Sequence, residues 1–89
     1  MKTLGEWRTS GARFHDYVAV GERVSDDVHD YFLELLPPVV MSGYMLQVGE
    51  PYSHVHGKPT FMTFVRDGRG WRGWTYVGHC FAGERHEPK

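Results

Sequence analysis

The densest concentration of chemistry-bearing side chains is Tyr52-Ser53-His54-Val55-His56, joined later in the chain by His79-Cys80. On an extended strand His54 and His56 point to the same side, close enough to share a metal ion, with His79 or Cys80 as a third ligand. The spacing does not support this chemistry: there is no CxxC, no HExxH and no acidic ligand at a diagnostic distance. The alternative is a polar strand end beside the turn Gly57-Lys58-Pro59, and neither a metal nor any other cofactor is expected. A Cys–His nucleophilic pair fails on geometry. His79 and Cys80 are adjacent, so on a strand they project to opposite faces and cannot share a proton. Ser42 and Ser53 sit in no nucleophile elbow, and no glycine loop is arranged to cradle phosphate. The chain therefore reads as non-enzymatic.

A second candidate is the stretch from Phe61 to Tyr76, in which rings alternate with Arg66, Arg69 and Arg72. Exposed rings beside guanidinium groups suit single-stranded RNA or DNA, the rings stacking on bases and the cations meeting phosphate. Trp74 and Tyr76 would be the stacking rings. The competing account is that alternate rings form the inner side of a two-faced sheet. Trp71 and Trp74 have opposite parity, so at least one tryptophan is expected off any helix-covered face. Asp67-Gly68-Arg69-Gly70 reads as a hairpin connector with Arg69 exposed at its tip.

The elements that must position these groups follow from periodicity. Ser25 suits an N-cap, Asp26 and Asp27 suit the positive end of a helix dipole, and Val28, Tyr31, Phe32, Leu35 and Leu36 form a buried stripe. Pro37-Pro38 ends the helix at about Leu36. Asp26, Asp30 and Glu34 then make an acidic ridge on the far side, with His29 and Leu33 upon it. An exposed Leu33 among carboxylates fits an interface anchor for a basic protein partner, although isolated surface leucines are also ordinary. Strands are predicted over Arg13 to Val20, Tyr44 to Val48 (continuing to Val55), Thr60 to Arg66 and Trp71 to Cys80. The fold class is α+β in the order β-α-β-β-β: an antiparallel sheet of three or four strands with one helix packed on a face.

The chain has 89 residues with 10 basic and 11 acidic side chains, which makes a single domain, with residues 82–89 as a polar tail. One cysteine rules out an internal disulfide framework and makes the reducing cytoplasm the expected compartment. Residues 1–7 contain no apolar stretch of signal-peptide type. The longest uncharged run, Leu35 to Gly49, is 15 residues with two prolines, too short and broken to span a bilayer, so no membrane is expected. Charge is divided unevenly. Residues 1–50 carry four basic and eight acidic groups and residues 51–89 six basic and three acidic, so the halves can meet charged partners or each other. Three Trp, five Tyr and five Phe are many for so short a chain, and a second sheet face covered by a homodimer partner is a further expectation.

Tyr31-Phe32-Leu33-Glu34-Leu35-Leu36-Pro37-Pro38, Met41-Ser42-Gly43-Tyr44 and Gly49-Glu50-Pro51-Tyr52-Ser53-His54 together resemble small uncharacterised proteins carried on proteobacterial plasmids, integrated elements and phages. The resemblance spans roughly residues 25–78 and supplies no catalytic residues. It implies mobile-element cargo that binds a host or defence-system protein, including inhibitors of the anti-CRISPR or anti-restriction type. A net charge of −1 argues against mimicry of DNA by the whole chain, leaving the acidic helix face Asp26, His29, Asp30, Leu33 and Glu34 as the expected contact.

Overall fold

The computed structural model describes residues 1–50, the backbone of 54–55, and residues 58–66 and 72–84. The elements run α1 (Leu4–Ser10), α2 (Phe14–Tyr17), β1 (Arg23–Val24), α3 (Asp26–Leu35), β2 (Pro38–Met41), β3 (Met45–Val48), β4 (His54–Val55), β5 (Lys58–Val65) and β6 (Trp74–Phe81). Five strands form an antiparallel sheet in the order β1-β6-β5-β3-β2, and β4 pairs with β5 beside it. The α+β class and the antiparallel sheet are as expected, with more elements than the sequence indicated. No helix of the described residues is long and apolar enough to cross a membrane.

The expected first strand over Arg13 to Val20 is instead a single helical turn, α2. Phe14 and Val18 are buried one turn apart while Val20 is exposed, so the apolar spacing there is helical. Chain reversal ahead of α2 is held by Trp7, whose indole N–H donates to the Ala12 carbonyl at 2.9 Å. The unforeseen α1 opens with Thr3 accepting the Glu6 N–H at 3.2 Å, the half of a capping box that Thr3-x-x-Glu6 encodes. Ser25 caps α3 differently from expectation. Its hydroxyl donates to the Asp27 carboxylate, and the same carboxylate oxygen accepts the Leu4 N–H at 3.3 Å, tying α1 to α3.

The two faces of the sheet are buried by different means. On the helix side, Val24, Leu46, Val48, Phe64, Trp74 and Tyr76 meet Phe14, Val18, Val28 and Phe32. The rings interlock, with Phe14 4.9 Å from Phe32 and 5.1 Å from Tyr76, edge to face. On the other face Val65, Val77 and Cys80 form a second cluster. Strict alternation along β6 would put Cys80 on the side of Trp74 and Tyr76. The ladder instead shifts, with Thr63 opposite Gly78 and Phe64 opposite Tyr76, so Val77 is the extra residue of a bulge and the residues beyond it face the opposite way.

On that second face the described residues make a buried polar clamp. Gln47, fully buried, donates to Thr63 Oγ1 at 3.1 Å and to the Phe81 carbonyl at 2.9 Å, while its own carbonyl accepts the Gly83 N–H at 2.8 Å. The start of the expected polar tail is thus stitched to the centre of the sheet. Replacing Gln47 by Leu strands the Gly83 amide and loses the carbonyl contact. We expect Gln47→Leu to lower unfolding free energy by about 2–3 kcal/mol, read from the denaturant midpoint, although the side-chain volume is conserved.

Candidate protein-binding surface

Helix α3 lies on the sheet through Val28 and Phe32, both buried. It is rolled about its axis relative to the predicted stripe. Leu33 is half-buried and packs against the core, whereas Leu35 is 59% exposed. The roll is set by His29, whose ring stacks on Trp74 with centroids 4.3 Å apart and planes 14° from parallel. Drawing His29 inward brings Leu33, one turn on, down with it and lifts Leu35 out. Neither Leu33 nor His29 therefore stands on an exposed ridge as expected. Of that ridge Asp26, Asp30 and Glu34 remain exposed, now running into Leu35.

The basic hairpin and the acidic helix meet each other. The Arg66 guanidinium lies 4.2 Å from the centre of the Trp74 ring, and its Nη2 is 3.8 Å from Asp26 Oδ1. The same carboxylate oxygen accepts the Gly73 N–H at 3.2 Å. Gly73 is fixed by this close approach, since a Cβ there would lie 2.6 Å from the Val24 carbonyl oxygen and its φ is +82°. Trp74 and Tyr76 are each only 2% exposed and belong to the main core. They are therefore unavailable as stacking platforms, because α3 covers the face on which they stand. Arg72 is exposed and uses its carbonyl to accept from the Arg23 guanidinium. Trp71 and the connector with Arg69 lie outside the described residues. Asp26 is thus partly neutralised, while Asp30, beside the His29 Nδ1 at 2.9 Å, and Glu34 face outward.

Of the histidine–cysteine candidates, only His79 and Cys80 have described side chains, and these two face opposite sides of the sheet. His54 contributes described backbone only, and His56 lies outside the described residues. His79, opposite Met62, is half-buried, and Cys80 is buried on the other face beside Val65 and Val77. Among the described residues no three His, Cys, Asp or Glu side chains are grouped to hold a metal ion. Burial pushes the His79 imidazole below its ordinary 6.5, and the nearby His15 adds to the effect. Near that pH the unfolded chain binds the proton that the folded chain resists, so acidification removes stability. Glu22, held below its ordinary 4.5 by the Ala19 N–H and by Lys2, acts in a more acidic range. The denaturant midpoint should fall between about pH 7.5 and about pH 5.5, and fall less in His79→Gln.

Leu35, which its spacing placed in the buried stripe, is exposed, as are Val39, Met41 and Tyr44. All lie in the charge-free run Leu35 to Gly49, whose length was informative about membranes but whose neutrality was the signal of a bare surface. Comparison with protein-family models, with curated proteins and with solved structures gave no match. The roll of α3 has a direct test. Leu33→Asp should cost about 2 kcal/mol or more of stability by forcing a carboxylate against the core, while Leu35→Asp should stay within about 0.5 kcal/mol. Equal effects by thermal melting would contradict the orientation of α3.

Proposed function

We propose that the protein is a non-enzymatic interaction protein that binds another protein through the outer side of α3. The observation that carries this reading is an apolar side chain, Leu35, held exposed at the end of the Asp30–Glu34 line on a helix that is locked to the sheet through Phe32 and Val28. An apolar anchor beside carboxylates matches a partner with an apolar socket next to Lys or Arg, and the rigid helix lowers the entropy lost on docking. Basic surfaces of this kind belong to nucleic-acid-processing complexes. The likeness to mobile-element proteins supplies the setting, in which such a complex is a host or defence-system target and the bound protein its inhibitor. The alternative of direct RNA or DNA binding loses support because Trp74 and Tyr76 are core rings and Arg66 is engaged by Asp26.

The test is affinity capture from bacterial lysate with wild type, Leu35→Asp and Glu34→Lys, read by mass spectrometry, followed by titration of the purified candidate. A partner retained by wild type should be lost with both variants, and its affinity should fall with added salt. Recovery of the same proteins by all three forms would overturn the reading.

A further inference from the structure

The two edges of the sheet are treated unequally. At the β1 edge, Lys2 adds a parallel bridge to Val24, with the Lys2 N–H donating to the Arg23 carbonyl at 3.0 Å and its carbonyl accepting from Ser25 at 2.9 Å. At the other edge β2 pairs with β3 on one side, and no described strand lies on its far side. The Ser42 N–H donates to the Met45 carbonyl at 3.0 Å. By antiparallel alternation the next pair, Met41 opposite Leu46, is the non-hydrogen-bonded kind, so the N–H and C=O of Met41 point outward from the sheet. Around them Val39 is exposed, and Met41 and Tyr44 are each 62% exposed.

Open edges are ordinarily defended by charge, by proline or by a covering segment. Here Pro38 and the register shift between Pro38 and Val40 blunt only the first half of β2, and no charged side chain occurs between Leu35 and Gly49. The neutrality bears on the occupant. A strip without charge offers nothing to select an oppositely charged partner, yet it can face a copy of itself without setting like charges together. Antiparallel strands are self-complementary about a two-fold axis normal to the sheet, and the covered β1 edge stops growth at two chains.

We propose that β2 is a self-association site, pairing antiparallel with β2 of a second copy to give a two-fold dimer with a continuous sheet. The strand order becomes β1-β6-β5-β3-β2 followed by the reverse order in the partner, with both α3 helices on the same side. The contact is short, so association is weak and depends on concentration. It uses a different surface from the α3 contact and stands whether or not that contact binds a partner.

Sedimentation equilibrium of the full chain tests it, with wild type, Met41→Glu and Met41→Lys compared up to about 1 mM. Wild type should pass from one chain to two as concentration rises. Both variants should remain single chains over the same range with wild-type melting temperatures, because Met41 is exposed and either charge would be trapped in the apolar seam. Having both signs of charge ensures that one misfolded variant does not leave the question open. A wild type that stays a single chain throughout, or a folded Met41 variant that dimerises as wild type does, would overturn the proposal.

Discussion

The structure depends on one ring, Phe32, which gathers the three helices onto the sheet. Trp7 of α1 stacks on it at 5.5 Å, Phe14 of α2 meets its edge at 4.9 Å, and Phe64 of β5 lies 5.8 Å below. A chain of this length buries only about two thirds of its unfolded surface, so a few large rings must supply much of the burial. A helix of ten residues has little stability in water, and α1 and α2 are shorter still. Each is helical because its aromatic side chain has this shared contact to reach. The polar ties, Asp27 to Leu4 and Trp7 to Ala12, then fix the angles at which the pieces arrive.

The same arrangement decides which surface is left for function. Among the described residues, α1, α2 and α3 lie over one face and the Gln47 clamp over the other. Two peripheral surfaces of the described residues stand clear of these layers, the outer side of α3 and the β2 edge. Both lie between Asp26 and Tyr44, immediately before and after the Pro37-Pro38 break. The prolines thus convert a helix into an edge strand over a few residues, and the segment that turns the corner carries Leu35, Val39, Met41 and Tyr44 outward. Charge obeys a complementary logic. Asp26 and Arg66, from the acidic and basic halves of the chain, are drawn together over Trp74. That contact draws Asp26 inward and leaves Asp30 and Glu34 facing outward on α3.

Local sequence determined much of this protein directly. The span of α3 is encoded by Ser25, the i, i+3, i+4 spacing of apolar residues and the double proline, all of which act within one or two turns. The β5–β6 pairing is encoded by two β-branched and aromatic runs close in sequence, and the α+β class comes from the order of such segments. Three features were decided only by tertiary structure, for the reason that each balances contacts distant in the chain. The N-terminal apolar residues fit a strand or a helix until Phe32 and Tyr76 select the helical spacing of Phe14 and Val18. The roll of α3 turns on a stack between His29 and Trp74, 45 positions apart, which periodicity alone places only to within a neighbouring residue. The facing of β6 turns on an extra residue at Val77, and a single bulge reverses every side chain beyond it. Local rules specify which stretches are regular; which side of each is buried is settled where those stretches meet.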